Sequence, residues 1–241
     1  MFLCLNDNLQ LSNSLVMRFS NFILVLLFAL LATSCHRRAY VADNFEERTV
    51  DHVSIAVIPY DVLNTGRRTQ KMTDAYMEEQ RAWEAEAFQQ DLVDRIMHRA
   101  TRNRKLVVDM QATNETNSLL EEAGIELVDA HSLSALELTE LLGVDAVVMA
   151  YVEKNKVLTE VESAAASVLA TVLGGTTANA TESALNRTYE IDMRVTVLDK
   201  LGATLYNDAA SFNIDFGTTA DDAISTVNRR LIRRFPYIEK K

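Results

Sequence analysis

The chain has 241 residues, which suits one domain plus processing sequence or two small domains. Its 48% hydrophobic and 24% charged content is that of a globular protein and argues against disorder. A formal charge of −10, from 24 basic and 34 acidic residues, speaks against nucleic acid as a partner, and two cysteines, Cys4 and Cys35, exclude a disulfide framework.

Residues 22–32, FILVLLFALLA, are apolar and uncharged. A spanning helix needs roughly 20 such residues. A secretory signal needs a basic segment, an apolar core of about 7–15 residues and small residues before the cut. Arg18 precedes the run, and Ala32, Thr33 and Ser34 follow it. These parts place the start at Met17, with residues 1–16 an upstream mis-start and 17–34 a signal peptide.

The segment Leu31-Ala32-Thr33-Ser34-Cys35 resembles the bacterial lipobox, in which a cysteine receives diacylglycerol before cleavage. Ala32 departs from the Leu, Val or Ile usual at its position. The resemblance implies lipidation at Cys35; the alternative is a conventional signal or uncleaved anchor, with Cys35 incidental. Each buried CH₂ contributes about 0.8 kcal/mol, so two or more acyl chains hold stably where one holds marginally. His36, Arg37 and Arg38 would meet the headgroups, at roughly 1 kcal/mol per basic residue near an anionic surface. No acidic residue follows Cys35 directly, and by resemblance to enterobacterial sorting this favours an outer-membrane lipoprotein facing the periplasm.

Residues 35–51 read as a lipidated polar tether and 52–241 as a single domain. SIAVIPY, residues 54–60, is a β-branched apolar run stopped by Pro59 and predicts a buried strand. Residues 61–71 read as a polar loop. A long helix follows at about 74–101, with Ala85, Phe88, Leu92, Ile96 and Ala100 on one stripe and Glu84, Gln90, Asp94 and Arg95 opposite. Arg99, Arg102, Arg104 and Lys105 gather at its C-terminal end, as dipole complement or as a docking patch.

KLVVDMQ, residues 105–111, predicts a second strand, and 114–123 a short helix closed by Gly124. Ser134 and Glu137 form a capping-box pattern opening a helix through Leu142, with Gly143 as its left-handed cap. Residues 145–155 are the third strand. In 188–199, Tyr189, Ile191, Met193, Val195 and Val197 alternate with Glu190, Asp192, Arg194 and Thr196, which gives one buried and one wet face. Asp199-Lys200-Leu201-Gly202 makes a hairpin turn into an antiparallel partner at 203–214. A last helix spans about 220–235, capped by Thr219, with Ala223, Val227 and Leu231 inward. The order predicts an α/β fold: a single mixed sheet of about five strands with a C-terminal antiparallel hairpin, flanked by three or four helices.

SIAVIPY, ALELTELLGVDAVVMAYV (135–152) and VTVLDKLGATLYNDAASF (195–212) resemble a family of envelope lipoprotein domains. That family includes the curli-secretion channel lipoprotein, the outer-membrane activator of a penicillin-binding protein, and the N-terminal domain of the Tol translocation protein. Its pattern is a helix ending in Gly-x-Asp-Ala before a buried strand, then Asp-x-x-Gly and an apolar–aromatic pair. Here Leu205-Tyr206 holds that pair, with tyrosine where tryptophan is common. The resemblance implies a non-catalytic binding or assembly role at the cell envelope, with an envelope protein as partner.

Residues 161–186 interrupt strands three and four. Val168, Leu169, Val172 and Leu173 cluster at helical spacing and offer a self-association surface, with a homo-oligomer as its consequence. In the channel-forming relative, inserted hairpins build a barrel, so a subunit of an outer-membrane secretion pore is the alternative function. A transmembrane strand needs about 9–11 alternating residues, which SVLATVL does not supply. The remaining reading is a surface loop with a short helix on the body.

No phosphate loop, nucleophile elbow or His-Glu-x-x-His occurs, and His36, His52, His98 and His131 lack metal spacing. No cofactor, metal or catalytic residue is assigned. An envelope hydrolase would need two carboxylates meeting in a cleft. Arg229, Arg230, Arg233 and Arg234 make a basic face on the last helix, either solvated and internally paired or a docking site for an acidic partner or headgroups.

Overall fold

A computed structural model describes residues 39–66, 73–100, 103–156, 187–215 and 220–240. Part of the expected tether belongs to the domain. Tyr40–Val41 (β1) pairs antiparallel with Asn207 and Tyr206 on the sheet edge. Phe45–Arg48 (α1) is a single turn, and the Phe45 ring meets Tyr237 edge-on at 5.2 Å. The polar composition of 39–50 hides these attachments, because Ala42 and Phe45 supply them without any periodicity.

Ser54–Val57 (β2) buries Ile55, Ala56 and Val57, as its β-branched run predicts. Pro59 interrupts pairing but does not end it. Asp61–Gly66 (β3), expected as loop, is a strand lying parallel to the same neighbour as β2. At the break, Ile58 N–H donates to Val148 and Tyr60 N–H is diverted to the carbonyl of Ala85, 3.2 Å away in each case. Edge position explains why β3 tolerates Asn64 and Gly66: only Val62 faces the core.

Asp74–Arg99 (α2) starts at Thr73, whose side chain accepts from Tyr76 N–H. Of its expected stripe, Ala85, Phe88, Leu92 and Ile96 pack inward while Ala100 is half-buried at the C-cap, and Glu84 is buried with them at 5% exposure. The expected strand at 105–111 is two pieces. Arg104–Leu106 (β4) and Asp109–Met110 (β5) turn to different partners, with Val108 buried between them. Thr113–Glu122 (α3) and a 3-10 turn at Leu127–Ser132 lead into Ala135–Leu142 (α4). The capping box at Ser134 and Glu137 is fully formed, and Gly143 adopts φ 67°.

Ala146–Lys156 (β6), Arg187–Asp199 (β7) and Thr204–Asp215 (β8) form the central ladders, and Gly202 takes φ 76° in the β7–β8 turn. Ala220–Leu231 (α5), a 3-10 turn at Ile232–Arg234 and Ile238–Lys240 (β9) end the described chain. The sheet order is β1-β8-β7-β6-β2-β5, with β3 also on β6; β4 and β9 form a separate ribbon. The fold is therefore α/β with a mixed seven-stranded sheet, two strands more than expected. The additions β1 and β3 are too short or too polar to carry a period.

Helices α2 and α5 cover one face, where Phe88, Leu92, Ile96, Val227 and Leu231 meet Ile191, Met193, Val195 and Val197. On the other face, α3 and α4 cover only the end that holds Ala56, Ile58 and Val147. Tyr151, Glu153, Asp192, Arg194, Thr196 and Ser211 continue that face beyond the helices, each at least partly exposed. This is the wet side that the β7 alternation predicts.

Candidate interaction surfaces

The residues that carry the sequence resemblance act as structural fasteners. The Asp145 carboxylate accepts from Val53 N–H at 2.8 Å and Ser54 N–H at 3.1 Å, tying the start of β6 to β2. Burial pushes its pKa up, but those two bonds, aided by His52 and Lys200, leave it below the ordinary 3.8. Asp199 Oδ1 accepts from Leu201 and Ala203 N–H, which closes the β7–β8 turn, and Oδ2 accepts from Arg48. Tyr206 O–H donates to the Leu231 carbonyl at 3.0 Å and so locks β8 to α5. Beside Asp145, the Tyr237 phenol lies 2.8 Å from His52 Nδ1. Burial raises the Tyr237 pKa and lowers that of His52, so the phenol donates to a neutral imidazole.

The four arginines of the last helix are exposed but do not form one strip. Arg230 lies over the Phe212 ring at 5.2 Å, and Arg234 is close enough to Tyr206 to oppose the rise that burial and Asp208 give its phenol pKa, so both lean over β8. Arg229 donates to Ser225 Oγ at 3.2 Å, and the Arg233 carbonyl accepts from Arg99 Nη2 at 2.8 Å; these two face α2. The positive charge is thus split between the open β8 side and the α2 side. Around Arg233 it is joined by Arg99 and Arg104; burial first, then the charges of Arg104 and Arg233, lower the Arg99 pKa. Arg102 lies outside the described residues. The two basic runs are visible in the sequence, but their meeting depends on β9, a three-residue strand with no sequence signal.

Two open clefts flank α2. One of about 460 Å³ is lined by Glu86, Glu121, Glu126 and Ile125. A second of about 380 Å³ is lined by Trp83, Gln89, Gln90, Asn114 and Asn117. All three carboxylates of the first are solvent-exposed, so it lacks the burial that sets one acid apart from its neighbour for hydrolysis. In the second, Gln89 and Asn117 bond each other at 2.9 and 3.1 Å, and Gln89 also holds the Val57 carbonyl at 2.7 Å.

His98 is exposed, as its place on the helix predicts, whereas His131 Nε2 donates to the Pro59 carbonyl at 2.8 Å. Among the described residues, no group of three or more His, Cys, Asp or Glu side chains is placed to hold a metal ion. Among them, too, no helix is long and apolar enough to cross a membrane. Cys35, Thr219 and the self-association residues Val168, Leu169, Val172 and Leu173 lie outside the described residues.

No protein-family model and no curated protein matches the chain. Solved structures similar to it include lipoprotein GNA1162 from Neisseria meningitidis, at 13% identity and TM-score 0.39, covering 76% of this chain and 97% of that one. A PelC dodecamer from Paraburkholderia phytofirmans matches at 9% identity and TM-score 0.36, over 75% and 87%. The C-terminal domain of LpoB from Salmonella enterica matches at 7% identity and TM-score 0.31, over 68% and 84%.

Proposed function

We propose that this chain is a lipid-anchored, non-catalytic binding or assembly module of the bacterial cell envelope, held through Cys35 and facing the periplasm from the outer membrane. The observation that carries it is the Leu31-Ala32-Thr33-Ser34-Cys35 segment directly after the short apolar run at 22–32. The attachment of Tyr40 to β8 adds a distance limit. Five residue steps separate Cys35 from Tyr40, a reach of at most about 18 Å. The domain then works close against the bilayer, and its partner meets it there. Arg229, Arg230, Arg233 and Arg234 are the proposed contacts for an acidic envelope partner.

The test is metabolic labelling with an alkyne fatty acid, followed by membrane fractionation of wild type and Cys35→Ala. Label and sedimentation with the outer membrane are expected for wild type and lost in the variant. An unlabelled wild-type protein recovered from the cytosol overturns the anchor.

One observation favours a pore subunit as the second reading. The β6–β7 ladder stays paired out to Lys156 opposite Tyr189, so the insertion grows from the tip of an intact hairpin. That reading expects a ring-shaped, detergent-dependent oligomer which deletion of residues 163–185 abolishes. A monomer in detergent removes it.

A further inference from the structure

The β4–β9 ribbon sets Arg104 directly opposite Lys240 in an antiparallel pair. Like charges in that position repel and destabilise the pair. Opposite residues share a face, and the next pair on this face, Leu106 with Ile238, packs against the core. Arg104 therefore sits on the inner side of the ribbon, towards the end of α2. There Arg99 already spends its Nη2 on the Arg233 carbonyl, while its Nε is buried with no hydrogen-bond partner. Burial, then Arg104, then Arg233 hold the Arg99 pKa below the ordinary arginine value. The group nonetheless stays charged at neutral pH. The neighbouring pair, Lys105 with Glu239, closes its own salt bridge at 3.6 Å on the outer face.

Elsewhere among the described residues, guanidiniums meet carboxylates: Arg48 meets Asp199, Arg95 meets Asp91, and Arg81 meets Asp61 and Glu78. This cluster brings four cations from four elements of a chain whose net charge is −10, and it leaves a buried donor unused. The end of α2 attracts positive charge, but that effect fades within one helical turn, where His98 and Arg99 already stand. A carboxylate would bring one charge and two oxygens. A phosphate brings up to two charges and acceptors in a tetrahedral array, which suits guanidiniums arriving from different directions.

We propose that Arg99, Arg104, Arg233 and Lys240 form a phosphate-binding site at the junction of α2, the α5 end and the β4–β9 ribbon. Its ligand is a terminal phosphate group, carried by a soluble molecule or by a lipid headgroup. The site deepens the docking reading of Arg233 and stands whether or not Cys35 is acylated.

The test uses the full chain in detergent, with arginine Nε–H signals followed by ¹⁵N-resolved NMR during titration with inorganic phosphate, against sodium chloride at equal ionic strength. A saturable shift of the Arg99 Nε–H with phosphate and not with chloride is expected. Arg104→Gln should weaken phosphate at least about tenfold, or ~1.4 kcal/mol. The same variant should melt higher than wild type without phosphate, because it removes the Arg104–Lys240 opposition; this also reports that it folds. Vesicles of phosphatidylcholine with and without phosphatidate separate the two sources. Binding to phosphatidate vesicles, competed by free phosphate and lost in Arg104→Gln, assigns the lipid. Phosphate binding with no vesicle binding assigns a soluble ligand. An Arg99 signal that phosphate leaves unmoved, an equal response to chloride, unchanged affinity in Arg104→Gln, or a lower melting point for that variant overturns the proposal.

Discussion

Lys154, on the buried face of β6, directs its ammonium onto the carboxylate of Glu84 on α2, and both residues are nine-tenths or more buried. Gln80 donates to Glu84 Oε1 at 3.0 Å, so the carboxylate is held from two sides. The pair fixes where α2 crosses the sheet. It is weak evidence for stability, because desolvating two charges offsets most of their attraction. Breaking it is another matter. Glu84→Gln strands a buried ammonium and should cost about 3–5 kcal/mol in urea unfolding. The double replacement Glu84→Met with Lys154→Met should be near neutral or stabilising. If the single variant costs as little as the double, the pair is not buried in solution.

Tyr60 and Asn228 form a second buried contact of this kind, 2.7 Å apart, with the phenol donating to Asn228 Oδ1. Asn228 Nδ2 then donates to the Phe88 carbonyl at 3.1 Å and to Asp91 at 2.9 Å, which stitches α5 to α2. Tyr60→Phe keeps the ring stacked on Phe88 at 5.4 Å but leaves a buried acceptor short of a donor. The expected loss is about 1–3 kcal/mol. Asn228→Leu abandons more partners and should cost more than Tyr60→Phe in the same denaturant series; the reverse order would mean the network is carried by the ring alone.

Local signals in the sequence proved readable and contextual ones did not. The capping box at Ser134, the Gly143 cap, the β7 alternation from Ile191 to Val197 and the turn at Gly202 are each written within a few residues, and each forms as expected. Glu84 shows the limit. It stands four residues before Phe88, so helical spacing alone puts it on the core stripe; its charge argues for the wet face, and only the partner on β6 reverses that. Strands β1, β5 and β9 have two or three residues each, too few for any period. The basic cluster at Arg99, Arg104 and Arg233 was legible as two separate runs, and only the β4–β9 pairing unites them.

Gly143 offers a test of a single backbone angle. Its φ of 67° is left-handed, and a Cβ there would meet nothing within 4 Å. Gly143→Ala therefore carries conformational strain with no steric clash, and should cost about 1–2 kcal/mol. Because Asp145 begins its fastening of β6 two residues later, hydrogen exchange should show the loss first at Val53 and Ser54 N–H. A variant as stable as wild type would place the helix end elsewhere.

Stability should fall on mild acidification. His52 and His131 both have pKa values lowered from 6.5, in each case by burial first. For His52 the charges of Asp145, Asp199 and Asp51 oppose that shift and Lys200 reinforces it; for His131 the Pro59 carbonyl and Asp61 oppose it and Arg81 reinforces it. A base with a depressed folded pKa binds fewer protons folded than unfolded. Its contribution is therefore complete above the unfolded value of 6.5 and is lost as pH falls below it. Asp145 adds a second, more acidic limb: its lowered pKa gives stability above 3.8 that disappears as the carboxylate protonates. Urea midpoints should hold level above about pH 7, decline as pH falls below 6.5, and fall again near the carboxylate range. His52→Gln and His131→Gln together should flatten the first decline and leave the second, while Asp145→Asn should do the converse at a cost in stability at neutral pH. A first decline that persists in the double histidine variant would assign it to other groups.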